Sequence, residues 1–138
     1  MLKINKVSEY GVLALNFIGQ NREPQSARDV SVALNVPYEI LAKTLQRLKE
    51  AGLVTSSKGT NGGYLLKSPL SEISFSQVLD AFEGPIAIVD CANTESTDCH
   101  RLDSCQMKVG MQKINRKVHE VLNSVKLDEL FLMENVSK

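Results

Sequence analysis

Residues 26–52 constrain the fold more than any other part of the chain, because two helical patterns lie there on either side of a tight turn. Ser26 and Asp29 have the spacing of a capping box, which predicts a short helix beginning near Ala27. Asn35-Val36-Pro37 predicts the turn, and a proline suits the first turn of the following helix, which should end near residue 51. The residues expected to face inward are Val30, Ala33, Leu34, Ile40, Leu41, Leu45 and Leu48.

The flanking segments predict one more helix on each side and a β-hairpin. Residues 53–58 and 64–67 favour strands, and the glycine-rich residues 59–63 between them tolerate the positive φ angles of a hairpin loop. Ser74, with Gln77 three residues later, predicts the start of a short helix. A helix over about residues 5–19 is predicted by an apolar stripe, which consists of Val7, Tyr10, Leu13, Ala14, Phe17 and Ile18. This order of elements is that of a winged helix-turn-helix.

The last third of the chain predicts a loop followed by a long helix. Residues 90–104 show no hydrophobic period and are dominated by Asn, Thr, Ser and Asp. Apolar residues then recur every 3.5 residues on average, which is typical of a helix that packs along another helix. They are Met107, Met111, Ile114, Val118, Val121 and Val125. Residues 127–133 predict a last short helix, so the expected fold is mainly α with a small β-hairpin wing.

Charge is unevenly distributed along a chain of 138 residues whose net charge is zero. Residues 1–67 hold nine basic and five acidic side chains, whereas residues 68–105 hold one basic and seven acidic side chains. The N-terminal half can therefore face a polyanion such as DNA. No apolar run approaches the roughly 20 residues of a membrane-spanning helix. Because residues 1–11 also lack the apolar core of a secretion signal, we expect a cytoplasmic protein without membrane contact.

The second helix of the pair carries the polar side chains expected to enter the major groove of DNA. Glu39, Lys43 and Arg47 form one line along it, and Arg, Lys, Gln and Glu side chains can all pair with base edges. Taken singly, each of these side chains also fits an ordinary solvated helix face. The residues predicted to contact DNA are Arg28, Tyr38, Glu39, Lys43, Gln46, Arg47, Lys58 and Asn61.

All three cysteines, Cys91, Cys99 and Cys105, fall within 15 residues. In a reducing compartment such a cluster indicates a metal, a cofactor or redox chemistry before it indicates disulfides. Structural zinc sites use tighter pairs of cysteines, whereas an iron–sulfur cluster accepts looser spacing. Three thiolates leave one iron position for His100, a carboxylate, water or a second chain. The alternatives are zinc held with His100, unligated thiols, and a small thiol enzyme using His100 or His119.

Several strings of this sequence together resemble the Rrf-two family of bacterial transcription regulators, which includes the IscR, NsrR and RirA types. They are LKINKVSEYGVLAL, LQRLKEAGLVTSSKGTNGGYLL, and the three-cysteine loop followed by a long helix. The resemblance covers about residues 2–132. FEGPIAIVDC and INRKVHEVLNSVKLDEL are most similar to the branch that regulates the SUF iron–sulfur assembly operon.

The resemblance implies a homodimer with crossing long helices and a 2Fe–2S or 4Fe–4S cluster near the dimer interface. Cys91, Cys99 and Cys105 match the cluster ligands of the family. Glu9 matches the position from which some members supply a fourth ligand to the partner's cluster. In the IscR type a histidine three residues after the last cysteine fills this role, but Lys108 stands there in this chain, which favours Glu9 and leaves His100 second.

On the DNA side, Glu39, Lys43 and Lys58 match family positions that face the operator. Ala42 stands where the IscR type has a glutamate that helps to choose between two operator classes, so the operator preference of that type does not carry over.

We therefore expect a dimeric, DNA-binding transcription regulator, not an enzyme, that senses iron–sulfur cluster status. Residues 1–85 would form the DNA-binding domain, residues 86–106 the cluster-binding loop, and residues 107–138 the dimerisation helix with a short last helix. The alternatives are a thiol- or zinc-dependent redox repressor of the same fold and an adaptor that does not bind DNA.

Overall fold

The computed structural model describes residues 3–85, 87 and 106–132. Helices α1 (Lys6–Gln20), α2 (Ala27–Leu34) and α3 (Tyr38–Glu50) are followed by an antiparallel hairpin of β1 (Val54–Ser57) and β2 (Gly63–Leu66). A 3₁₀ turn (Leu70–Glu72) leads into α4 (Phe75–Glu83), and α5 (Lys108–Ser124) and α6 (Leu127–Leu132) complete the order. This architecture confirms the predicted fold, a mainly helical winged helix-turn-helix with a long helix. Among the helices described, none is both long and apolar enough to cross a membrane.

Helices α1, α2 and α4 begin where the sequence predicts them, and a side chain close in sequence caps each of these three starts. The Asn5 side chain accepts a hydrogen bond from the Ser8 backbone N–H at 2.8 Å at the start of α1. Ser26 with Asp29, and Ser74 with Gln77, form complete capping boxes at the starts of α2 and α4. Such caps satisfy backbone N–H groups that have no partner inside the helix.

One hydrophobic core joins the helical elements. Leu15 and Ile18 of α1 pack there with Leu41, Leu45 and Leu48 of α3, all of them at most 1% exposed. Leu127 of α6 is fully buried in the same core. Helix α6, which follows α5, therefore packs into the same core as α1 and α3.

The buried face of α1 differs from the predicted apolar stripe. Ala14 and Ile18 are buried as predicted, but Val7 and Leu13 are 40% and 41% exposed. Ser8 and Gly11 are buried instead. These small residues admit the last turn of α4, since a Cβ atom at Gly11 would overlap the Phe82 ring.

Two inward positions predicted in the helix pair are also wrong. Ile40 is 42% exposed, and Thr44 takes its place in the core because its hydroxyl donates to the Ile40 carbonyl at 2.8 Å. Burial of this hydroxyl is thereby compensated. Ala33 is exposed, whereas Val30 is fully buried and Leu34 packs against the core as predicted.

The hairpin is held against the segment that precedes α2. The backbone of Gln25 pairs with Tyr64 of β2 through two hydrogen bonds, Gln25 N–H to the Tyr64 carbonyl at 3.0 Å and Tyr64 N–H to the Gln25 carbonyl at 2.7 Å. Gly63 has φ 149°, and a Cβ atom there would lie 2.6 Å from the carbonyl carbon of Gln25. Only glycine allows this approach without strain.

The end of α5 is attached to the start of α4. The Phe75 N–H donates to the Val125 carbonyl at 2.8 Å, and the Leu127 N–H donates to the Ile73 carbonyl at 2.9 Å. The Ser76 hydroxyl donates to the Asn123 side chain at 2.9 Å. All of α5 lies within the described residues, and none of its residues is buried.

Candidate nucleic-acid interface and metal ligands

The turn between α2 and α3 has a defined geometry. Asn35 adopts a left-handed conformation with φ 54°, which asparagine tolerates better than most residues. The Ser31 hydroxyl donates to the Val36 carbonyl at 2.6 Å, and the Val36 N–H donates back to the Ser31 carbonyl at 3.1 Å. This pair of hydrogen bonds fixes the direction in which α3 leaves the turn.

Helix α3 buries one face in the core and exposes the other. Leu41, Thr44, Leu45 and Leu48 form the buried face. Five of the residues predicted to contact DNA are exposed on this helix, and they are Tyr38, Glu39, Lys43, Gln46 and Arg47. The helix therefore presents a polar, cation-bearing surface of the kind that enters a major groove.

The remaining predicted DNA contacts lie on α2 and the hairpin. Arg28, Lys58 and Asn61 are all exposed. Asn61 lines an open polar cavity of about 600 Å³ together with Ser26 and Asp29, so the hairpin tip lies beside the start of α2. Hydrogen bonds from the backbone and hydroxyl of Ser26 lower the pKa of Asp29. The Asp29 carboxylate is therefore charged at neutral pH, and the hydrogen bond that it accepts from the Ser26 N–H weakens as the pH falls through this lowered pKa.

A groove of about 430 Å³ runs between α3 and the helices beside it. Lys43 and Arg47 line it from α3, so the structure brings these two predicted contacts together. The other lining residues are Asn5, Val7, Ile40, Thr44 and Phe82.

Glu9, the predicted fourth ligand, lies on α1 but does not line the groove beside α3. Its side chain is 50% exposed and forms an ion pair with Lys6, whose Nζ is 3.2 Å from Glu9 Oε2. Such an exposed pair is weak and easily exchanged. Glu9 also lines a mainly apolar cavity of about 330 Å³ between α1, the start of α4 and α6. Its carboxylate is therefore accessible to a cation.

The predicted cysteine ligands Cys91, Cys99 and Cys105 lie outside the described residues, as does His100. Within 3–85, 87 and 106–132, no three His, Cys, Asp or Glu side chains form a group that could hold a metal ion. Lys108, the counterpart of the IscR-type histidine, is the first residue of α5, and His119 lies half-buried further along that helix.

Three features of this surface were not predicted from the sequence. Ser31 stabilises the turn, Gln25 holds the hairpin, and Phe82 lines the α3 groove from α4. Each depends on a contact between residues that are not neighbours in one element. The Asn35-Val36-Pro37 string was the one local signal, and it indicates the turn but not the hydrogen bonds that hold it.

Comparison with known proteins identifies the family. Residues 4–132 match the Rrf2 (Rrf-two) family, described as an iron-dependent transcriptional regulator. Protein aau3 of Rhizobium meliloti (strain 1021) is 32% identical over 94% of this chain and 84% of its own length. The HTH-type transcriptional regulator IscR of Pectobacterium atrosepticum is 27% identical over 94% of this chain and 79% of its own length.

Solved structures show the same fold. CymR (YrzC), the global cysteine regulator of B. subtilis, is 28% identical and superposes with a TM-score of 0.70 over 94% of this chain and 96% of that chain. T. potens IscR gives a TM-score of 0.72 at 23% identity, covering 99% of this chain and 91% of that chain. The matching family and the IscR relative are transcriptional regulators, not enzymes. The chain thus belongs to the Rrf2 family of DNA-binding transcriptional regulators.

Proposed function

We propose that this protein is a dimeric regulator whose affinity for its operator is set by an iron–sulfur cluster, and that it controls SUF-type cluster-assembly genes. The observation that carries the proposal is the exposed, cation-bearing face of α3 in a chain that also has three cysteines within 15 residues and belongs to an iron-dependent family. Such a protein works where the chromosome is accessible, in the cytoplasm.

Helix α3 is the proposed reader of the operator. Lys43 and Arg47 would donate to guanine acceptors, Gln46 would pair with adenine, and Glu39 would accept from cytosine. Tyr38 begins the helix and is 53% exposed, so it can reach the sugar–phosphate backbone. Arg28 on α2 and the hairpin-tip residues Lys58 and Asn61 are exposed. Helix α2 precedes α3 and the hairpin follows it, as in a winged helix, so these three side chains would contact phosphates.

The proposed dimer rests on the unburied apolar face of α5. Met107, Ile114 and Val121 of the predicted seam are 61%, 47% and 64% exposed. A helix with such a face is stable when another element covers it. Two copies that cross along α5 would carry two copies of α3 to half-sites about 34 Å apart, or a multiple of that distance.

The donor set suits an iron–sulfur cluster. Cys91, Cys99 and Cys105 would supply thiolates, and the accessible Glu9 carboxylate of the partner chain would complete the set. When bound, such a group supplies an iron centre whose stability depends on its ligands and solvent exposure. Ligation would restrain the cysteine segment against α1 and α5. Release of the three thiolates would shift these helices and change the spacing of the two α3 helices.

A second candidate function is a thiol-responsive repressor of the same fold. The observation that favours it is the likeness, at 28% identity, to the global cysteine regulator CymR. In that case the three cysteines would bind zinc or change their oxidation state, without iron and sulfide. Metal and sulfide analysis separates the two candidates.

The experiment that tests the proposal compares wild type, Cys99→Ala and Ser104→Ala after anaerobic purification. We expect wild type to be brown, with iron and acid-labile sulfide, and to change its gel shift on the DNA upstream of its own gene after an iron chelator. Cys99→Ala should lose the colour and remain a dimer, whereas Ser104→Ala, in the same segment, should retain both. Colourless wild type with stoichiometric zinc would contradict the cluster.

A further inference from the structure

The last turn of α4 is fixed on the first two turns of α1 by two adjacent contacts. The Ser8 hydroxyl, on a fully buried residue, donates to the Glu83 carboxylate at 3.2 Å. One turn later, Gly11 faces the Phe82 ring so closely that an added Cβ would lie 2.9 Å from its Cζ and closer still to Cε2. A side chain at position 11 would therefore displace Phe82 from α1.

The same Phe82 ring also lines the groove beside α3. Across this groove lie the exposed Ile40 and the two cationic side chains Lys43 and Arg47. Long cationic side chains lay their methylene stems along apolar surface while their charged ends reach solvent. The Phe82 ring therefore borders the same space as both cationic side chains.

We propose that Phe82, held on α1 by Gly11 and by the Ser8–Glu83 hydrogen bond, is a positioning residue that orients Lys43 and Arg47 and thereby sets discrimination between the operator and other DNA. This inference rests on the proposed function of α3 as the reader of the operator. It deepens that function, because it names a residue outside α3 that sets how α3 discriminates between DNA sequences.

The polar atoms of the groove favour this role over a ligand site. Thr44 is 1% exposed, and its hydroxyl is already satisfied by the Ile40 carbonyl at 2.8 Å. Across the described part of the chain, every buried side-chain nitrogen and oxygen has a hydrogen-bond partner. The groove therefore offers no buried polar group that calls for a bound molecule.

The first test is Phe82→Leu, measured by fluorescence anisotropy on the DNA upstream of the protein's own gene and on random DNA of equal length. We expect the ratio of the two affinities to fall roughly tenfold, within the range seen for residues that couple sites without touching ligand. The salt dependence on random DNA should not change, because no phosphate contact is removed. Phe17→Leu, a half-buried aromatic of α1 outside the groove, is the matched control and should retain the ratio.

The second test is a double-mutant cycle between Gly11→Ala and Phe82→Leu. Gly11→Ala alone should lower the affinity ratio, because the new Cβ moves the ring. In the Phe82→Leu background it should have little effect, since leucine lacks the ring atoms that Cβ would meet. Additive effects, or equal losses on both DNAs that follow the melting temperature, would overturn the inference.

The Ser8–Glu83 hydrogen bond supplies a further pair of variants. Glu83→Gln retains an acceptor for Ser8 and should behave as wild type, whereas Ser8→Ala should resemble Gly11→Ala.

The same measurements distinguish failure of this inference from failure of the proposed function. If Lys43→Ala and Arg47→Ala leave affinity for the upstream DNA unchanged, the role of α3 is wrong and the inference fails with it. If those two variants lower affinity while Phe82→Leu and Gly11→Ala retain the affinity ratio, only the positioning role is wrong.

Discussion

Lys43 and Lys58 have the same charge but belong to different elements of the winged helix-turn-helix. Lys43 lies in the middle of the exposed face of α3, whereas Lys58 directly follows β1 at the hairpin tip. A lysine on the reading helix can distinguish bases, but a lysine on the hairpin meets phosphates that every sequence shares.

Substitution of these lysines should therefore weaken binding in two different ways. We expect Lys43→Ala to cost about 1–3 kcal/mol at the operator and to relax its specificity. Lys58→Ala should weaken operator and random DNA alike and reduce the slope of log affinity against log salt by about one. Titrations by anisotropy at several salt concentrations measure both effects.

Lys49→Ala is the control for this prediction, because Lys49 is on the same helix but away from the line of Glu39, Lys43 and Arg47. Identical salt slopes for all variants would contradict the assignment.

Single polar residues also explain why the sequence did not predict every buried face. Hydrophobic periodicity ranks Ile40 above Thr44 and Val7 above Ser8 as core residues. The structure buries the polar member of each pair, because Thr44 bonds to the Ile40 carbonyl and Ser8 bonds to Glu83. The first partner lies in the same helix, but the second lies 75 residues away. No pattern within one helix contains that second contact.

At the scale of elements, helix starts and the hairpin could be predicted because their signals are local. Ser26, Ser74 and the glycines at 59 and 63 each determine a cap or a turn within a few residues. The pairing of Gln25 with Tyr64 could not be predicted in this way. It joins residues 39 positions apart, and Gln25 lies in a connection rather than in a strand pattern.

This pairing joins the hairpin to the segment that precedes α2, and Gly63 is the residue that permits it. Gly63→Ala should destabilise the protein by more than the roughly 1–2 kcal/mol that a left-handed conformation costs an L-residue, because its Cβ would also meet Gln25. DNA affinity should fall as the hairpin separates from α2. Thermal unfolding and gel shifts measure the two effects.

Gly59→Ala is the matched control for this prediction. Gly59 has φ 109°, but no heavy atom lies within 4 Å of its added Cβ. The control therefore carries the conformational cost without the clash. Equal losses of stability in the two variants would show that the close approach of Gly63 to Gln25 contributes nothing.

At the scale of the whole molecule, α5 is anchored at its C-terminal end. Its C-terminal end is tied to the start of α4 through Phe75, Ser76 and the buried Leu127. Its N-terminal residues follow directly on the cysteine segment and expose Met107. A second copy that covers this face would join the two chains along α5. The heptad spacing predicted a helix–helix seam, whereas the anchoring of α6 in the core depends on contacts across the whole chain.

Disruption of the α5 seam should therefore weaken operator binding strongly without unfolding either protomer. We expect Ile114→Asp to convert the dimer to a monomer, because a buried, unpaired carboxylate at the seam is strongly unfavourable. Affinity for a two-half-site operator should fall by about 10²–10⁴-fold as the second recognition helix is lost. Gln112→Asp introduces the same charge at an exposed position off the seam and should remain dimeric. Sedimentation velocity gives the oligomeric state, and circular dichroism checks the helix content. A dimeric Ile114→Asp protein with unchanged affinity would mean that the two chains associate through another surface.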